Sequence, residues 1–320
     1  MSNYLGVIFV NSKTAMYIVK RLLMALLTIV VVITVTFFVM QAVPGGPFLS
    51  EKGITQARLD ALNKRYGLDD PLVVQWLRYV GNSLRFDFGV SIKDNDQPVM
   101  DLIWNDFKVS AINGLLASVL AIVVGVVLGV IAAVKRGKIA DRIIMILSTA
   151  MVAVPSFVIA AFLLYWFCVK VQIFPTNFGL SDSPLKYFLP VLTLSLYPMS
   201  YIVRLTRTST LDVLNSDYVR TARAKGVSPF KVLFKHTLRN SLTPVITYAG
   251  PMVAFILTGS LVVEKLFSVP GLGGTLIVAI QRSNYPMVMG CTVFVSYIVI
   301  FMILVSDILY KIVNPRVDLE

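Results

Sequence analysis

Six stretches of this chain are apolar over lengths that approach or exceed what a helix needs to cross a lipid bilayer. Four of them, Leu22–Met40, Ala111–Val134, Ile143–Val169 and Met287–Leu309, compare with the roughly 20 residues required. Two weaker ones lie at Phe188–Val203 and Leu242–Val263. In hydrocarbon every backbone N–H and C=O must be satisfied within the segment, so runs of this kind are helices. Composition agrees: 57% of the 320 residues are hydrophobic and 14% are charged, whereas soluble chains carry about 25% charged residues. The expectation is an all-α, polytopic membrane protein with about six transmembrane helices. The first run is too long for a signal-peptide core and has no small-residue cleavage site after it, so it reads as a retained helix.

Charge sets the orientation. The net charge of +12 suits the rule that short cytoplasmic loops are rich in Lys and Arg, and nucleic acid is not the expected partner. Lys13, Lys20 and Arg21 precede the first span. Lys135, Arg136, Lys138 and Arg142 fill the link between the second and third. Arg204, Arg207, Arg220, Arg223, Lys225, Lys231, Lys235 and Arg239 fill that between the fourth and fifth, and Lys311 and Arg316 follow the last. With six helices all of these fall on one side, placing both termini in the cytoplasm.

The divisions expected are residues 1–43 for the N-terminus and first helix, 44–109 for an extracytoplasmic helical segment, 110–312 for a five-helix core, and 313–320 for a cytoplasmic tail. In the outer segment, Thr55 can cap a helix carrying Leu59, Leu62 and Tyr66 on one face, with Gly67 at its stop. Asp70-Pro71 can then start a second helix with Val73, Trp76, Tyr79 and Val80 on one side. Those aromatics suit either the headgroup level or a packed cap over the bundle.

Pro155, Pro190, Pro198, Pro244 and Pro251 fall within the apolar segments. Each removes a donor and favours a kink, which is tolerated where neighbours or a wet cavity satisfy the freed carbonyls. Hydroxyls are frequent there too: Ser156, Thr193, Ser195, Tyr197, Ser200, Tyr201, Thr247, Tyr248 and Thr258. Such groups join helices or line a solute path. Pro155, Ser156, Tyr197, Tyr201, Tyr248 and Thr258 are the candidate path residues.

Several chemistries lack their signatures. There is no G-x-x-x-x-G-K-[ST], no H-E-x-x-H and no plausible Ser–His–Asp set, so neither a self-contained ATPase nor a membrane enzyme is indicated. Two cysteines, Cys168 and Cys291, and the lone His236 make no metal site. No charged residue sits at mid-membrane, where placing one costs roughly 2.5–3.5 kcal/mol, so an ion-coupled transporter is disfavoured. Glu264 lies near a span end, and Asp307 is four residues from Lys311, well placed to pair with it.

The link between the fourth and fifth spans is the most informative segment. Ser216 or Asp217 can cap a short helix exposing the small Ala222 and Ala224, which Gly226 ends in a left-handed conformation. Ser228-Pro229 restarts a second helix. There Phe230, Leu233, Phe234 and Leu238 line up, with Lys231, Lys235 and Arg239 as a basic stripe. Two short helices with a small-residue tip make a plug for a socket on another protein.

This segment resembles the EAA loop of bacterial ABC-importer permeases, E-A-A-x3-G followed by I-x-L-P. Here Arg220-Thr221-Ala222, Gly226 and His236-Thr237-Leu238-Arg239 occupy those places, without the glutamate, isoleucine and proline. The run Tyr218–Gly226 is similar to the version in the dipeptide/oligopeptide/nickel class, and together with the matches that follow, it resembles the oligopeptide permease B-type subunit. Pro44-Gly45-Gly46-Pro47, Tyr66–Pro71, Asp87-Phe88-Gly89-Val90-Ser91, Val154-Pro155-Ser156-Phe157, Leu189-Pro190 and Glu264–Gly273 extend the likeness over nearly the whole chain. One departure is Asn284 in Arg282–Pro286, where the class has an aspartate.

The resemblance implies a type I ABC-importer permease with an extracytoplasmic helical insertion between helices 1 and 2, in a bacterial inner membrane. It implies a second homologous permease, two cytoplasmic ATPase subunits that hold ATP and Mg, and an extracytoplasmic solute-binding protein. This chain itself would carry no cofactor. The coupling region would lie in the loop 204–241, with Asp217, Tyr218, Arg220, Thr221, Ala222, Arg223, Ala224, Lys225, Gly226, His236 and Arg239 as its ATPase-facing residues. The outer segment and the loop near Glu264–Gly274 would face the binding protein. The cargo implied is a dipeptide or oligopeptide, with a nickel complex or another small solute as the alternative.

Overall fold

The computed structural model describes residues 12–43, 67, 69–180 and 182–313, without the side chains of 12–15, 180 and 309–313. In chain order the helices are α1 (Ser12–Gln41), α2 (Leu72–Ser83), α3 (Val99–Val134), α4 (Ile139–Ala153), α5 (Ser156–Lys170), α6 (Phe188–Leu214), α7 (Asp217–Ala224), α8 (Pro229–Ser241), α9 (Thr243–Leu257), α10 (Leu261–Leu266), α11 (Leu272–Gln281) and α12 (Tyr285–Val313). Four unbroken apolar segments are long enough to span a bilayer: Met16–Gln41, Val99–Val134, Pro184–Leu214 and Tyr285–Ile308. Two bent pairs, α4 with α5 and α8 with α9, bring the number to six.

The pairs correct two expected boundaries. The third span is not one rod over Ile143–Val169, because α4 and α5 meet at 101°. Pro155 has no N–H to continue the ladder, and it holds Val154 at ψ 126°, outside the helical region. The fifth stops at Leu257 rather than Val263, where Gly259 turns the chain at φ +85°. Its 15 residues in α9 cover about 22 Å, short of the roughly 30 Å hydrocarbon core. Helix α8 joins it at a bend of 49°.

The chain forms two compact units, Met1–Met100 with Ser283–Glu320, and Asp101–Arg282. In the first, α12 packs along α1, and Arg21 Nη1 meets Asp307 Oδ2 at 3.0 Å. Asp307 thus bonds to a different helix from the Lys311 expected, whose side chain lies outside the described residues. α2 also packs on α1: the Trp76 indole donates to Thr34 Oγ1 at 3.1 Å, and Tyr79 tilts against Phe37 with ring centres 5.8 Å apart. Both aromatics pack on α1, while Val73 stays exposed. Helix α2 starts one residue later than expected, with Pro71 at its cap. Pro44–Pro47 and the expected helix from Thr55 to Tyr66 lie outside the described residues. Gly67 does adopt the left-handed φ of +62°. Helix α3 begins at Val99, within the segment drawn as 44–109.

In the second unit α6 is the most deeply buried of the unbroken spans, packed by α4, α5 and α9. Glycine lets α3 approach it. A Cβ on Gly125 would sit 2.8 Å from Ile202 Cγ2, and one on Gly129 would sit 2.6 Å from Thr206 Cβ and 2.7 Å from the Val203 carbonyl oxygen. Gly125-Val-Val-Leu-Gly129 is a small-xxx-small seam of the kind that joins helices in lipid, where there is no apolar transfer energy to do so.

Candidate functional site

The segment between α6 and α9 folds as two helices set against each other. Ser216 precedes α7 in an extended conformation, although its hydroxyl donates back to the Val213 carbonyl rather than capping. Gly226, at φ +75°, ends the helix. Its N–H donates to the Arg223 carbonyl at 2.9 Å and that of Val227 to the Ala222 carbonyl at 3.2 Å, the two bonds of a Schellman motif. Val227 then packs with Val219, Ala222 and Val232, onto which Val213 and Leu214 close from the end of α6. The plug is therefore continuous with α6 through its own small core.

Of the residues expected on the outward surface, Asp217, Tyr218, Arg220, Thr221, Arg223, Ala224, Lys225, Gly226 and Arg239 are exposed, and His236 is half-buried. Ala222 is not. It is 8% exposed because Val219 and Ala222 share the face of α7 that meets α8, where a small side chain allows close approach. The expected apolar line on α8 also changes. Val232–Thr237 is a π-helical turn, and its wider winding puts Val232 and Thr237 inside while Phe230 and Phe234 lie tilted against each other outside, with ring centres 4.3 Å apart. Asn240 Nδ2 donates to the Tyr218 hydroxyl at 2.8 Å, tying the two helices near the exposed face.

A cavity of about 380 Å³ opens at the α4–α5 break. Pro155, Ser156 and Tyr197 line it, together with Thr193, Pro198 and Ser260. Its lining residues include four with hydroxyls, Ser156, Thr193, Tyr197 and Ser260, and none with a charged side chain. The other three candidate path residues are not in that lining. Tyr201 and Tyr248 face each other across α6 and α9 with ring centres 4.4 Å apart, and the Thr258 hydroxyl donates to the Phe255 carbonyl at 2.7 Å.

Glu264, 4% exposed, is held inside the protein. Ser110 Oγ donates to its Oε1 at 2.7 Å and the Gly274 N–H to its Oε2 at 2.9 Å, while the Leu272 N–H donates to Ser110 Oγ at 2.9 Å. Burial pushes this carboxyl above the usual carboxylate range, and the Ser110 hydroxyl and the Gly274 and Gly273 N–H groups pull it back. A Cβ on Gly259 or Gly271 would lie 2.4 or 2.5 Å from the Glu264 side chain. Glycine is required around it to make room. In the other unit Asn284, 2% exposed, donates from Nδ2 to Ser91 Oγ at 2.6 Å and to Asp94 Oδ2 at 3.4 Å. An aspartate in its place would lose those donations and set a second carboxylate beside Asp94.

An all-α chain with four unbroken apolar spans and two bent pairs has the fold of an ABC-transporter permease. It is similar to a chain of the methionine ABC transporter MetNI in an inward-facing conformation, with a TM-score of 0.54 and 16% identity over 67% of this chain and 97% of that one. The chain belongs to the family of binding-protein-dependent transport system inner membrane components, whose profile matches residues 125–319, with the family's N-terminal profile on residues 14–111. It is 43% identical to the dipeptide transport system permease protein DppB of Bacillus subtilis (strain 168) over 306 residues, covering 96% of this chain and 99% of that protein. It is 36% identical to the oligopeptide transport system permease protein OppB of Salmonella typhimurium over 302 residues, covering 94% and 98%.

Proposed function

We propose that this chain is the membrane-spanning permease subunit of an ATP-driven importer of dipeptides or oligopeptides. The observation that carries the reading is the two-helix plug, which presents Asp217–Gly226 at the end of the central span. It is supported by the names of relatives that match nearly the whole chain. The plug seats in a cytoplasmic ATPase subunit. A second, homologous permease completes the path, two ATPase subunits hold ATP and Mg, and an extracytoplasmic binding protein delivers the solute. Both termini are cytoplasmic in this arrangement, and the protein lies in a bacterial inner membrane.

The path runs past the cavity at Pro155, Ser156 and Tyr197. Uncharged acceptors and hydroxyls there hydrogen-bond a solute without trapping it, and the break at Pro155 lets the helices rock between outward-open and inward-open states. No covalent step belongs to this chain, and ATP hydrolysis belongs to its partners. Reconstituted alone, the chain is expected neither to hydrolyse ATP nor to take up peptide. With the second permease, the ATPases and the binding protein it is expected to take up peptide only with ATP. Uptake by this chain alone under a proton gradient contradicts the proposal, and ATP-dependent uptake of a nickel complex but no peptide moves the cargo to the alternative.

A further inference from the structure

Near the plug end of α6, Arg207 forms a fork with Asp141 in the first turn of α4. Its Nε donates to Oδ1 at 2.7 Å and its Nη2 to Oδ2 at 2.9 Å. The Gly137 N–H adds a donation to Oδ2 at 2.9 Å, so one carboxylate, 4% exposed, ties α6, α4 and the turn after α3. Such a bidentate pair fixes orientation as well as distance, and because the carboxylate is buried and the guanidinium half-buried, removing one partner is more disruptive than at a fully exposed pair.

The pair is the first rung of a ladder. Seven residues further along α4 and seven back along α6, the Ser200 hydroxyl donates to the Ser148 carbonyl. A further seven in each direction bring Pro155 and Thr193, both in the cavity lining. Seven residues is about two helical turns, so Asp141 and Ser148 on α4 meet Arg207 and Ser200 on α6 along one antiparallel seam, and Pro155 follows just past the end of α4. At its other end α6 finishes at Leu214, in the core of the plug. One strut, α4 laid on α6, thus connects plug and cavity.

We propose that Asp141 and Arg207 are positioning residues for transport: they clamp α4 to α6 so that displacement of the plug reaches the cavity. The inference rests on the coupling reading of the plug. Its test is uptake per ATP hydrolysed in the complete reconstituted importer, a ratio that a merely structural pair does not move. Asp141→Asn, which keeps one acceptor, and the double variant Asp141→Leu with Arg207→Met, which leaves no buried charge unpaired, are compared with the unaltered complex. Both are expected to assemble with the ATPase and to lower the ratio by roughly fivefold.

An unchanged ratio in assembled complexes overturns the clamp. So does loss of ATPase association at normal membrane levels, because the pair then shapes the plug instead of linking it. Failure of both variants to reach the membrane makes the pair a folding contact, which also overturns it. The coupling reading is checked separately by Gly226→Val. If that variant uncouples transport while the Asp141 variants do not, the clamp fails and the plug stands.

Discussion

At the residue scale, Gly226 and Asn284 show how backbone and neighbour decide what a position requires. A Cβ on Gly226 would meet nothing within 4 Å, so its need for glycine comes from φ +75° alone. Valine there is strained by about 1–3 kcal/mol, at the exposed tip of the plug. Gly226→Val is expected to lower uptake sharply, to weaken ATPase association or uncouple hydrolysis, and to leave the membrane level near normal. The control, Lys231→Ala with Lys235→Ala, removes bulk charge and is expected to disturb uptake less. Normal uptake by Gly226→Val at matched expression would falsify the plug assignment. Asn284 departs from its class pattern because of its partners: the buried amide gives its N–H groups to Ser91 and Asp94, which a carboxylate cannot do.

Elements pack here according to where a side chain is missing. The seam between α3 and α6 depends on Gly125 and Gly129, and a valine at 129 collides with Thr206 and the Val203 carbonyl. Separating the helices costs about 1–3 kcal/mol, without touching the plug or the cavity. Gly129→Val is expected to lower the midpoint of thermal unfolding of the detergent-purified complex. Gly81→Ala, in α2 with open space around it, is the comparison and is expected to leave that midpoint unchanged or slightly raised. Equal midpoints for the two would show that close approach at this seam contributes little. Among these elements, neither the GVVLG seam nor the π-helical turn in α8 stood out in the sequence: a regular period assigns Phe230 and Phe234 to one line with Leu233 and Leu238, and only the wider turn shows them facing out.

On the scale of the whole molecule, the cation pattern predicts a topology that the helices alone leave open. Reporter domains fused after Glu320 and inserted within Gln56–Asp60 are expected to report opposite compartments, cytoplasmic and extracytoplasmic respectively. The same compartment for both removes the six-span orientation, and with it the placing of the plug beside cytoplasmic ATPases.

Sequence by itself determined the class of structure, because a bilayer admits so few solutions: six apolar runs had to be helices. It also determined where local chemistry breaks them, as at Val154-Pro155, though not that the break reaches 101°. Plug boundaries were legible because Ser216, Gly226 and Ser228-Pro229 act on neighbouring backbone. Tertiary structure alone decided which side chains meet. Asp141 gives no signal among the cations of its loop, and its value depends on Arg207, 66 positions away. Glu264 showed in the sequence only as a carboxylate near a span end, and Ser110, 154 positions away, closes on it in the fold. The physical reason is range: caps, glycines and prolines act within a turn or two, whereas a buried charge is defined by partners that only packing brings within 3 Å.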